Sequence, residues 1–235
     1  MALTGIFLIV FLAVHAGLNS CIFADLNWLN PDDNGEMFNK AAHFMGSTII
    51  TRILEGILFI GFIAHIIQGY VVEAKNRARR GQGYNISMGS RGSTWMSRSM
   101  AILGTLIFMF LVLHISKFWW SSRVTKDLAE VTYNGQHIHD LYLRMYQVFQ
   151  SPVIVVIYLA SVLFLGFHLW HGFTSSFRSM GVHNKKYISL LKGLGYGFTV
   201  IVCLLFALMP LSMFLQWVVP SAQQLSEIGL TTVSR

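Results

Sequence analysis

Hydrophobic residues gather along this chain into five stretches nearly free of Asp, Glu, Lys and Arg. Each approaches or exceeds the about 20 residues that carry a helix across the hydrocarbon core of a bilayer. The predicted helices cover about residues 1–24, 44–72, 99–120, 145–177 and 194–219. The first lacks the basic start and small-residue cleavage site of a removable signal peptide, so it reads as a retained helix. The second carries Arg52 and Glu55 near its start, and the third leaves through Lys117-Phe-Trp-Trp, where Trp119 and Trp120 form an interfacial belt. Pro210 predicts a kink near the exit of the fifth. The pattern specifies an all-α fold: a five-transmembrane-helix bundle forming a single membrane domain over residues 1–235.

The polar segments orient the bundle. Residues 73–98 hold Lys75, Arg77, Arg79, Arg80, Arg91 and Arg98 against Glu73 alone, and residues 175–192 add Arg178, Lys185, Lys186 and Lys192 without an acid. Positively charged loops stay on the cytoplasmic side, so these two are expected inside. Residues 25–43 carry Asp25, Asp32, Asp33 and Glu36 against Lys40, and residues 117–144 are nearly balanced, so both are expected outside. The chain then reads as a multi-pass protein with a cytoplasmic N-terminus. Composition agrees, with 54% hydrophobic and 11% charged residues and a mean hydropathy of +0.56. The net charge of +7 sits largely in the two basic loops, where topology accounts for it, and no nucleic-acid partner is expected. Cys21 and Cys203 match neither a zinc spacing nor the C-x-x-C-H of covalent haem attachment. Gly81-Gln-Gly83 and Gly89-Ser-Arg-Gly92 follow no strand and mark a loop, not a nucleotide-binding turn.

Four of the nine histidines fall well inside predicted spans, one on each of the first four: His15, His65, His114 and His168. Ionisable side chains at membrane depth are costly and face the bundle interior with a partner. Counting to the nearest flanking charge compares their depths. His65 lies ten residues before Lys75 and His168 ten before Arg178, at matching inner heights. His15 lies ten before Asp25 and His114 nine before Arg123, at matching outer heights. A b-type haem takes two imidazoles from different helices at one depth, and bundle cores are where such sites are built. Two levels therefore predict two haems b. Gly69 and Gly172, each four residues after a ligand, leave room for a flat macrocycle, and Asn19 holds that place after His15. Taken singly, each histidine is equally well read as a packing residue hydrogen-bonded across helices; the matched pairs favour coordination. His171, three residues after His168, is a competing ligand on the same helix, whereas His137, His139 and His183 read as solvated loop residues.

His15-x-x-x-Asn19, His65-Ile-Ile-Gln-Gly69 before a basic loop, His114 before an aromatic exit and Phe167-His168-Leu-Trp-His-Gly172 together resemble the five-helix dihaem cytochrome b anchors of succinate:quinone oxidoreductases and quinol:fumarate reductases. The match runs roughly from Met1 to Gly181, although such chains usually carry a short polar segment before the first helix. The resemblance implies that His15 and His114 hold the outer haem, that His65 and His168 hold the inner one, and that the fifth helix supplies no ligand. It implies an iron–sulfur subunit and an FAD flavoprotein on the cytoplasmic face of a bacterial inner membrane, membrane lipid around the spans, and menaquinone or another quinone near the outer haem. Within that frame Arg52 and Lys117 are candidates for haem propionates, while His43, Arg52 and Glu55 are candidates for the quinone site. The plainer alternatives are that Arg52 and Glu55, three apart on one helix, neutralise each other and that Lys117 snorkels to the interface. Other functions compatible with the pattern are the dihaem cytochrome b of a hydrogenase or formate dehydrogenase, docked on the outer face, and a proton-coupled transporter with a histidine relay.

Overall fold

A computed structural model describes residues 1–26, 30, 33–80 and 95–229. The glycine-containing segment from Gly81 to Gly92, with Arg91, and Asp32 lie outside the described residues, as does the side chain of Arg80. The fold is an all-α bundle containing five helices long and apolar enough to cross a membrane: Ala2–Asp25, Ile49–Arg79, Arg98–Thr125, Pro152–Ser179 and Lys185–Phe214. Large apolar side chains on these spans point outward, with Ile60 68%, Ile102 62% and Val153 65% exposed. Such outward apolar surface is what a lipid-facing helix presents and what a water-soluble one avoids.

Helix α1 (Ala2–Asn19) continues as a tight turn through Ser20–Asp25. It is followed by α2 (Glu36–Ser47) and α3 (Ile49–Arg80). The expected second helix, about residues 44–72, is therefore divided and displaced. Thr48 is extended at φ −84°, ψ 146°, and its hydroxyl accepts from the Thr51 amide at 3.4 Å, as an N-cap does. That cap ends one helix and starts the next, which puts His43 on α2, apart from the span that carries Arg52 and Glu55.

Helix α4 (Trp95–His114) passes into two wide helical turns, Ile115–Trp119 and Ser121–Thr125, and then into a hairpin, β1 (Glu130–Tyr133) and β2 (Gln136–His139). The hairpin turns on Asn134 and Gly135, at φ 52° and 80°, the left-handed pair that a two-residue type I′ connection requires. His137 and His139 thus sit on a strand, not in a loop, and Thr132 Oγ1 lies 2.9 Å from His137 Nδ1.

Helix α5 (Leu141–Phe149) is separate from α6 (Pro152–Ser179), so the expected continuous helix from 145 to 177 is broken near Ser151. Proline lacks the amide proton needed to continue α5 but fits the first turn of α6, where the Ser151 carbonyl accepts from Val155 at 3.1 Å. Helix α7 (Lys185–Phe214) begins well before the expected residue 194, because Asn184 Oδ1 accepts the Lys186 amide at 2.9 Å and caps it. Pro210 lies inside α7, close to its end, and α8 (Ala222–Glu227) closes the described chain with a capping box from Ser221 and Gln224.

Packing divides these elements into two compact units. The first comprises Met1–Ala13, Leu54–Met109 and Ser161–Cys203. Within it, Phe11 meets Phe62 edge-on at 5.8 Å, Tyr70 Oη lies 2.8 Å from Thr105 Oγ1, and a Cβ at Gly61 would stand 2.5 Å from the Phe7 ring. That last contact makes the crossing of α1 and α3 too close for alanine.

The second unit comprises Val14–Ile53, Phe110–Ala160 and Leu204–Arg235. Its core includes Ile22, Tyr142, Met145, Phe149, Tyr158 and Met213. Asp140 caps α5 through the Leu143 amide at 2.8 Å, and its carboxylate also accepts from Asn39 Nδ2 at 2.9 Å and Gln224 Nε2 at 2.8 Å. Asn39 Oδ1 accepts the Tyr142 amide at 2.9 Å, and Tyr142 Oη donates to Asp25. Burial, reinforced by the nearby Asp25 carboxylate, drives the Tyr142 phenol far above its ordinary range; burial also pushes Tyr133 up to about 12, so both remain neutral donors.

Candidate functional site

Each unit contains one pair of facing imidazoles. In the first, His65 on α3 meets His168 on α6 with ring centroids 6.2 Å apart and planes crossed at 70°. In the second, His15 on α1 meets His114 at the end of α4 at 5.9 Å and 88°. These are the pairings that depth along the sequence predicts. Four helices contribute one ring each, and α7 contributes none. His171 is half-buried on α6, but the ring that faces His65 belongs to His168.

Three of the four imidazoles have a polar neighbour at Nδ1. Thr4 Oγ1 lies 3.2 Å from His65, Asn19 Nδ2 3.3 Å from His15, and Tyr158 Oη 3.3 Å from His114. Asn19 also donates to the His15 carbonyl at 2.8 Å, so its amide sits against the helical turn that carries this ring. A hydrogen-bond partner at one ring nitrogen is how proteins orient an imidazole whose other nitrogen binds a metal. His168 differs: its Nδ1 is buried without a hydrogen-bond partner among the described residues. Burying a polar nitrogen unsatisfied is costly, and a water or an ion would relieve it.

The donor set narrows what that group is. Among the described residues no cluster of three or more His, Cys, Asp and Glu forms, so neither pair has the four protein ligands of a structural zinc site. Two imidazoles suffice where a macrocycle supplies the remaining metal ligands. Imidazole–metal bonds of about 2 Å on opposite sides of one ion place the ring centroids roughly 6 Å apart, which both pairs satisfy. The space beside the His65–His168 pair is bounded by movable groups. A Cβ at Gly69 would meet the Met1 methyl at 3.3 Å, and one at Gly172 the Met100 methyl at 3.9 Å. Methionine ends are readily displaced. Gly104 on α4 also faces this pair, its would-be Cβ standing 3.8 Å from His168 Cε1. The residues present therefore fit a bis-histidine haem.

The other candidates are more scattered. Arg52 is exposed on α3 and Glu55 is half-buried one turn later, while His43 is half-buried on α2; no hydrogen bond or ion pair joins His43 to Arg52. Lys117 lies in the wide turn that starts directly after His114. Such a turn winds more slowly than an α-helix, so Lys117 stands further round from His114 than three α-helical residues would put it. Wide turns of this type recur beside functional residues. Sequence reading missed Thr4, Tyr158, Gly104 and two arginines of the second unit. Arg123 donates to the Gly46 carbonyl at 3.0 Å, and Arg144 donates to Ser121 Oγ at 2.9 Å and to the Lys117 carbonyl at 3.3 Å. Thr, Tyr, Gly and Arg positions carry no signal for such roles until the rotation of each helix is known.

Compared with protein-family models, curated proteins and solved structures, the chain matches none.

Proposed function

We propose that this chain is the membrane cytochrome b of a succinate:quinone oxidoreductase or quinol:fumarate reductase, carrying electrons between a soluble iron–sulfur partner and quinone in the bilayer. The observation that supports it best is the meeting of four histidines from four membrane helices as two ring pairs, 5.9 and 6.2 Å apart. His65 and His168 would hold the inner haem, and His15 and His114 the outer one. A b-type haem in each place supplies a one-electron couple. The chain's own part is to fix the imidazoles, exclude water with apolar helices, and receive its partners at the two ends of the bundle. The basic segments at residues 73–98 and 175–192 face the cytoplasm in this reading and dock the iron–sulfur subunit, which bears the FAD flavoprotein. Arg52 and Lys117 provide positive charge for propionates, and His43 and Glu55 exchange protons with menaquinone or another quinone at the outer end.

The complex extracted in mild detergent tests this function. It is expected to contain a flavoprotein with covalent FAD, and succinate is expected to reduce both the haem and added quinone. Glu55→Gln should slow quinone turnover about tenfold or more while dye-coupled succinate oxidation and haem content stay unchanged. A hydrogenase or formate dehydrogenase catalytic subunit in place of the flavoprotein would replace the proposed partner. Unaltered quinone kinetics in Glu55→Gln would remove that residue from the quinone site.

A further inference from the structure

The first turn of α1 approaches His65 at a polar junction. Thr4 Oγ1 lies 3.0 Å from the Met1 carbonyl, 3.1 Å from Gln68 Oε1 and 3.2 Å from His65 Nδ1. The hydroxyl has one proton to donate and two lone pairs with which to accept. The Met1 carbonyl already accepts the Gly5 amide at 2.9 Å, and the Gln68 amide can turn either its oxygen or its NH2 toward Thr4. A neutral imidazole that gives Nε2 to a metal carries its proton on Nδ1, and in that state His65 donates to Thr4 Oγ1, 3.2 Å away, while Thr4 donates onward to Gln68 or Met1.

From this geometry we infer that Thr4 is a positioning residue that holds His65 in the Nδ1–H tautomer, leaving the Nε2 lone pair to bind iron. The inference rests on the dihaem reading and adds to it a residue outside the four ligands. Gly5 keeps α1 close enough for the contact: a Cβ there would stand 3.0 Å from Ser176 Oγ and 3.8 Å from His65 Cε1. His168, the other ring of this pair, has no such partner at Nδ1, so Thr4 provides the hydrogen bond that orients the pair from the protein side. An Nδ1–H that donates to oxygen raises the basicity of the ring and strengthens its bond to the metal. This favours the ferric state, so losing the bond raises the midpoint potential of the haem that His65 serves.

The test uses the haem-loaded full chain in detergent, with Thr4→Val, Thr4→Ser and wild type compared by redox titration and by haem retention during dilution. Valine keeps the branched shape and removes the hydroxyl; serine keeps the hydroxyl. In Thr4→Val the potential of one haem is expected to rise by about 59 mV, equivalent to about a tenfold change in the ratio of ferric to ferrous affinity. Retention of that haem should fall by about tenfold. The other haem should be unmoved, and Thr4→Ser should restore the wild-type values. Should Thr4→Val be too unstable to purify, Thr4→Ala, which also removes the hydroxyl, carries the test with the same expected rise, and an unchanged potential in it would overturn the role of Thr4. Two haems with unchanged potentials in Thr4→Val, or a shift that serine does not repair, would overturn the role of Thr4 alone. Wild-type protein without haem would instead remove the dihaem reading and this role with it.

Discussion

Replacing His168 by alanine is expected to leave the protein with one haem, whereas replacing His171 should leave it with two. Both residues lie on α6, three positions apart, which is about 4.5 Å along a helix axis at about 1.5 Å per residue. Of the two, His168 is the one that meets His65, at a centroid separation of 6.2 Å. If His65 and His168 hold a haem as proposed, His168→Ala removes one of its two ligands, so loss of that haem and weaker docking of the proposed partner are the expected results. His171→Ala removes a half-buried ring outside the pair, so its effect should stop at a small shift in potential. Haem stoichiometry by pyridine haemochrome decides between the two histidines. One haem in His171→Ala and two in His168→Ala would reverse the assignment.

The second large effect is structural and lies in the other unit. Asp140→Ala should cost about 3–5 kcal/mol, because it strips a 1% exposed carboxylate from three donors at once. The Leu143 amide loses its cap, and Asn39 Nδ2 and Gln224 Nε2 each lose one of two acceptors, keeping Tyr133 Oη and the Asn34 carbonyl respectively. Asp140→Asn retains one acceptor oxygen but turns a second donor toward an amide, so its loss should be intermediate. For a chain of this size the alanine variant is expected to lower the melting temperature by roughly 10 °C or more. A melting curve superimposable on wild type would show that the three donors find other partners and that the network does not hold this unit together.

The sequence made the five spans legible because apolar composition over about 20 residues is a strong signal that tertiary contacts rarely override. The ends of those spans were less so. Thr48 and Ser151 are short polar residues whose capping role depends on backbone angles, and each divides a stretch that hydropathy alone runs together. The hairpin had a readable signal in Asn134-Gly135 between Val131-Thr-Tyr and His137-Ile-His, but a four-residue strand between two membrane spans is easily absorbed into a polar loop. The histidine pairs were legible for a different reason. Flanking charges fix the height of each residue on its span, and height decides which rings can meet. Rotation about each helix axis is not fixed by that count, so Thr4 beside His65 and Tyr158 beside His114 emerge only from the structure. The same limit applies to Lys117, whose distance from His114 in sequence assumes an α-helix where the chain forms a wide turn.

The measurement that tests the account most directly is the haem content of the purified chain, combined with a reduced-minus-oxidised spectrum. Pyridine haemochrome analysis is expected to give two noncovalent haems b per chain, both low-spin with bis-histidine ligation. A chain that folds, inserts in membranes and binds no haem b would contradict the reading of both histidine pairs.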